Sequence, residues 1–151
     1  MHVDPRGQRF AALISTIVLA LVLITGSVWL LAVQAAVFAV GALLGLTYAP
    51  YGLAFRWLVR SRIGPPAELE AEAPPRFAQA VGAVISLIGV AGYASGASAL
   101  GIAATAAALA AAFMNAAFGY CLGCQMYLII RRIRPARHGG LRAGTDKEVP
   151  A

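Results

Sequence analysis

Two long stretches of the chain, positions 10–55 and 77–130, carry no Asp, Glu, Lys or Arg; every charged residue falls before, between or after them. At about 1.5 Å per helical residue these stretches would reach roughly 70 and 80 Å, more than twice a hydrocarbon layer of about 30 Å. Each is therefore predicted to fold back on itself as a helical hairpin. Small polar residues and glycine mark the turns, at Thr25-Gly26-Ser27 and at Ser95-Gly96-Ala97-Ser98. The pattern predicts an all-α, polytopic membrane protein. Its four transmembrane helices, near residues 10–24, 28–49, 77–94 and 99–120, form two similar hairpins.

Short interfacial helices are expected after spans 2 and 4. Pro50, with Gly52 close behind, should stop the second span, because proline lacks a backbone donor and clashes with the preceding turn. Residues 53–63 then read as a helix lying at the membrane surface, anchored by Trp57, Arg56, Arg60 and Arg62. In the second unit Cys121-Leu122-Gly123-Cys124 takes the place of that break, and residues 125–133 form the matching surface helix. The alternative is one unbroken helix running to Arg134, which would bury both sulfurs. Asp4-Pro5 reads as a helix start, since Asp is a favoured N-cap and Pro a favoured first helical residue.

The hairpins look like copies: Arg9-Phe10 corresponds to Arg76-Phe77, Gly52 to Gly123, and Trp57 lies close to the counterpart of Tyr127. Units entering from the same side would be related by an axis along the membrane normal. Shared low complexity is the other source of such a likeness. The bundle spans residues 3–134, with hairpins at about 5–63 and 75–134. Residues 64–74 are an acidic, proline-rich linker and 135–151 a disordered polar tail. His2 and His138 are expected to be solvated.

Composition agrees with the pattern. Hydrophobic residues make up 60% of the chain and charged residues only 12%, about half the usual share. The net charge of +6 sits outside the hairpin turns. By the positive-inside rule this puts both termini and the central linker in the cytoplasm, with the protein in the plasma (inner) membrane. The basic residues are then a topology signal and an attraction for the lipid bilayer; no soluble basic domain exists to bind nucleic acid. A signal peptide at the N-terminus is disfavoured, because apolar sequence continues through Trp29-Leu30-Leu31 without a small-x-small cleavage site. Gly41/Gly45, Gly119/Gly123 and the alanine-rich run at 103–117 are expected to pack helices closely, and self-association into homo-oligomers is left open. Gln34, Gln79, Ser86, Thr105 and Asn115 are expected to hydrogen-bond across helices.

The chemistry rests on Cys121 and Cys124, the only cysteines, three positions apart between an apolar run and Arg131, Arg132 and Arg134. Two cysteines scattered at random would show that spacing in roughly 1% of arrangements. C-x-x-C serves dithiol redox chemistry and also supplies half of a four-thiolate metal site. In the redox reading, Cys121 at a helix N-terminus attacks and Cys124 resolves, with the helix dipole and the arginines favouring thiolate, and Asn115 in support. A metal reading reaches only soft, two-coordinate Cu(I), because Zn²⁺ needs four ligands and no further cysteine exists. A third reading makes the protein a non-catalytic structural or assembly subunit. No cofactor signature is present, and whether catalysis occurs is left open.

The opening VDPRGQRF (3–10), the recurring PRF (75–77) and NAAFGYCLGCQMY (115–127) resemble the bacterial integral-membrane family known as domain of unknown function 4395, DUF4395. The likeness extends over roughly residues 3 to 134, and C-x-G-C at the end of the last span is its most specific element. That family carries no assigned activity. Its members tend to be encoded near thioredoxin-like and sulfurtransferase proteins, so the resemblance implies such a thiol or sulfur-transfer partner. It also implies a role for Cys121 and Cys124, with Asn115 behind them. An accessory thiol–disulfide redox or sulfur-relay protein is thus the expected function. Thioredoxin itself is not a match, for the chain has no alternation of strands and helices.

Overall fold

The computed structural model describes residues 2–60, 62, 64 and 70–133. Among the described residues six helices dominate: α1 (Pro5–Thr25), α2 (Val28–Leu43), α3 (Pro50–Phe55, which passes into a wider π-helical turn, Arg56–Arg60), α4 (Ala73–Ala94), α5 (Ser98–Phe118) and α6 (Leu122–Ile133). The predicted starts and turns have the expected chemistry. Asp4 caps α1 by accepting the Arg6 N–H at 2.9 Å, with Pro5 in the first turn. Gly26 takes φ = 64° to end α1, and Ser27 caps α2 through the Leu30 N–H. In the second hairpin Gly96 has φ = 81° between α4 and α5. Among the described residues α1, α4 and α5 are long and apolar enough to cross a membrane, and α2 is a shorter apolar helix.

Three expectations need correction. Pro50 does not stop the second long helix. α2 ends at Leu43, the chain breaks at Gly45 (φ = 100°), and Pro50 instead opens α3. The cause is Glu72, whose Oε1 lies 2.5 Å from where a Cβ on residue 45 would sit and accepts the Leu46 N–H at 3.2 Å. The paired glycines are the second correction, since neither pair shares a helix face. Gly41 packs on Gln79 while Gly45 makes the break, and Gly119 ends α5 while Gly123 packs on Ala78. The third concerns the linker. Glu70 and Ala71 form a two-residue antiparallel ladder with His2 and Val3, and Glu72 is only 5% exposed. Residues 65–69 of that segment, residues 61 and 63 of the predicted surface helix, and the tail from 134 onward with His138 lie outside the described residues.

The hairpins pack on each other through exchanged partners, α2 against α4 and α1 against α5. Two arginines fasten these crossings. Arg76 Nε and Nη2 donate to the Ala42 carbonyl at 3.1 and 2.9 Å, and Nη2 also to Leu43 at 2.8 Å; Arg9 Nη2 donates to the Ala117 carbonyl at 3.5 Å. Each satisfies carbonyls that a helix C-terminus leaves without partners. The adjoining phenylalanines also act alike. Phe10 meets Phe55 at 5.7 Å between ring centroids, and Phe77 meets Tyr127 at 5.8 Å, with interplanar angles of 50° and 48°. The counterpart of Tyr127 is therefore Phe55 rather than Trp57.

The core is a layer of Leu19, Val22, Leu31, Phe38, Ala83 and Ala108 at the helix crossings. Gly92 and Gly101 bring α4 and α5 close; a Cβ on Gly92 would lie 2.6 Å from the Gly101 nitrogen. The outer face is apolar, with Ile24, Trp29, Leu43, Trp57 and Phe118 at least 70% exposed. A soluble protein rarely leaves so much apolar surface uncovered.

Candidate functional site

The site grows from the way α5 ends. Gly119, at φ = 68°, donates its N–H to the Asn115 carbonyl at 3.0 Å and turns the chain out of the helix. Two residues later the chain re-enters helix, and Cys121 stands at its head. The Cys121 Sγ accepts the Cys124 N–H at 3.4 Å, and its carbonyl accepts the Gln125 N–H at 3.0 Å. Cys121 thus does with sulfur what Ser or Asp does with oxygen at an N-cap. The unbroken helix is not what forms, and both cysteines are free and half-buried at the start of α6. Gly123 makes the site possible: a Cβ there would lie 2.6 Å from the Ala78 Cα, so α6 can lie on α4 only with glycine at this position.

The two sulfurs are driven apart electronically. A hydrogen bond from the Cys124 side chain, helped by the backbone N–H groups of Cys124 and Gly123, lowers the Cys121 pKa to about 7 against the opposing effect of burial. Cys124 moves the opposite way, raised chiefly because its thiol is the donor in that bond. One sulfur is prepared to be a thiolate and the other to keep its proton. The arginines expected to help are far away. Arg131 and Arg132 occupy the last turn of α6, with the Arg131 guanidinium 5.9 Å from the Tyr127 ring centroid, and Arg134 lies outside the described residues. Ten helical residues separate them from Cys121, roughly 15 Å.

A residue that sequence reasoning passed over sits nearby instead. The negative charge of Glu70 raises the pKa of both cysteines. Its Oε2 accepts a hydrogen bond from Gln8 Nε2 at 3.2 Å. Glu70 reaches this place through the ladder with His2 and Val3, a pairing across 67 or more positions that has no local signature.

Cys121 and Asn115 line one cavity of about 270 Å³, whose polar walls also include Gln8, Gln79 and Ser15; Cys124 is not part of its lining. A second cavity of about 260 Å³ lies beside Tyr51, Arg56 and Arg60 and shares Gln8, Leu46 and Gln79 with the first. Among the described residues no three His, Cys, Asp or Glu side chains gather as a metal site. Of the other polar residues, Gln34 bonds across helices, Thr105 bonds to the Gly101 carbonyl within α5, and Ser86 Oγ is buried without a partner.

Apolar helices long enough to cross a membrane, with two free cysteines at the head of α6 beside a polar-walled cavity, are the build of a small helical membrane protein. The family is shown directly: the model for the domain of unknown function DUF4395 matches residues 3–132, and the chain belongs to that family. No curated protein and no solved structure matches it.

Proposed function

We propose that the protein is a four-span membrane protein of the plasma (inner) membrane that works as an accessory thiol–disulfide or sulfur relay. Its termini lie in the cytoplasm, and its partner there is a thioredoxin-like or sulfurtransferase protein. The observation that carries the reading is the Cys121 sulfur at the head of α6, 3.4 Å from the Cys124 N–H, with its pKa drawn down to about 7. A cysteine whose thiolate is half-formed near neutral pH exchanges readily with a partner, as nucleophile on its disulfide or persulfide or as leaving group when the partner's dithiol attacks, and Cys124 stands ready to complete the exchange. The positive residues at one end of the hairpins support the orientation. Trp29 beside the first turn and Trp57 at the opposite end, 83% and 85% exposed, support two interfacial belts. α2, a shorter apolar helix of 16 residues, is taken as the second of the four spans.

Trapping tests this. In membranes carrying Cys124→Ser, Cys121 should accumulate a mixed disulfide with a soluble protein, separable by reduction and absent from the Cys121→Ser control. Absence of any adduct, together with full function of the double Cys→Ser variant in a cell-based assay, would leave the structural-subunit reading in its place.

A further inference from the structure

We infer that the cavity beside Cys121 is a binding site for a lipid-borne quinone, which takes the electrons of the Cys121–Cys124 dithiol. This inference rests on the relay reading above and names the second substrate of the same site. Three observations carry it. The cavity extends along α5 from the Cys121 end to Ala107, roughly 15 Å, so it is elongated in the direction of the lipid tails. Its exposed members, Ala107, Leu122 and Met126, are apolar, which suits an opening onto the bilayer, with Ala107 in the middle of α5. Its less exposed lining includes the amide side chains of Asn115, Gln8 and Gln79 together with Cys121.

Those features match one chemical class. A quinone has a small flat ring with two carbonyl oxygens that accept hydrogen bonds from amides, and an apolar tail that an elongated, lipid-facing cavity accommodates. A water-borne disulfide would need none of these. The cavity, about 270 Å³, is near the lower limit for small-molecule sites, roughly 300 Å³, so it holds the ring and leaves most of the tail in the bilayer.

The step balances. The Cys121 and Cys124 S–H bonds break, an S–S bond forms between the two sulfurs, two electrons enter the ring, and the two protons end on its oxygens to give the quinol. Cys121 faces the ring because it lines the cavity; Cys124, behind it, closes the disulfide. A partner dithiol then reduces the disulfide by exchange and leaves oxidised, which returns the site to its starting state.

The experiment uses the full chain in lipid nanodiscs, pre-reduced and kept anaerobic, mixed with a fully ring-substituted benzoquinone carrying a decyl tail. Quinone absorbance and remaining thiols are followed together, and oxidation by a small water-soluble disulfide is measured in parallel. One quinone should be reduced for each pair of thiols lost. Ala111→Trp, which fills the cavity, and Ala107→Phe, at its exposed mouth, should each slow the quinone reaction by roughly tenfold, about 1.4 kcal/mol. Both should leave the disulfide reaction unchanged. Because Ala107 is exposed, its variant tests the site whether or not the larger residue at 111 folds. Equal quinone rates in wild type and Ala107→Phe would overturn the inference, as would a wild-type dithiol that the disulfide oxidises and the quinone does not; in both cases the relay survives. A dithiol inert to both oxidants would sink the relay reading as well.

Discussion

Tyr51 donates its hydroxyl proton to Gln34 Oε1 at 2.7 Å, and Gln34 passes the contact on by donating from Nε2 to Ser15 Oγ at 3.1 Å. One buried amide thereby links α1, α2 and α3, with Gln34 itself wholly buried. Burial also raises the Tyr51 pKa, so the donated proton stays in place further into alkaline pH. Replacing Gln34 with Leu would leave a hydroxyl on each side without its partner. Thermal unfolding in detergent should show a loss of about 1–3 kcal/mol, whereas Tyr51→Phe, which removes a single bond, should cost about 1 kcal/mol or less.

Arg76 and Arg9 offer a graded comparison. Arg76 makes three bonds to the end of α2 and Arg9 a single long one to the end of α5. Arg76→Ala should therefore cost about 2 kcal/mol and Arg9→Ala less than about 1 kcal/mol in the same unfolding assay. Equal losses would mean that charge near the helix end, rather than the number of bonds, sets the effect.

Alkylation of the two cysteines should separate with pH. The reactive species is the thiolate, and Cys121 is lowered to about 7 while Cys124 is raised. Mass-resolved labelling should rise at Cys121 as pH increases through 7, with Cys124 silent over the same range. In Cys124→Ala the bond that lowers Cys121 most is gone, so the Cys121 profile should move to higher pH.

Glu70→Gln should move that profile the other way. The carboxylate opposes a second negative charge nearby, and the neutral amide does not, so Cys121 should titrate lower and label faster at a fixed mildly acidic pH. The protein should otherwise fold as before, since the amide can still face Gln8.

The sequence was most informative where the cause of a feature is local. Asp4-Pro5 starts α1 and Gly26-Ser27 joins α1 to α2; each acts within a few residues of itself, as does Gly119 ahead of Cys121, which was expected only to pack helices. The same holds for the cysteine pair, whose spacing of three already suits an N-cap and the third helical residue. What stayed hidden depends on distant contacts. Pro50 drew attention as a breaker, yet α2 stops earlier because Glu72 arrives from 26 positions away to hold the Leu46 N–H. Glu70 reaches the thiols in a similar way, from a segment whose acidic and proline-rich composition reads as solvated linker. The arginines near the cysteines in sequence are remote in space, because helix α6 carries them away along its axis. The cavity depends on the gap left between two hairpins, and no pattern along one chain encodes a gap.

The exchange of partners between hairpins also bears on how the protein is made. During synthesis α1 and α2 emerge first, and at that stage the Ala42 and Leu43 carbonyls lack the guanidinium that later covers them. Glu72, needed for the turn at Gly45, is likewise still inside the ribosome. The first hairpin can enter the lipid phase, but its second helix acquires a finished end only when the start of the second hairpin arrives. The end of α2 is thus finished only once residues 72–76 have been made, so the first hairpin cannot complete its fold before the second begins.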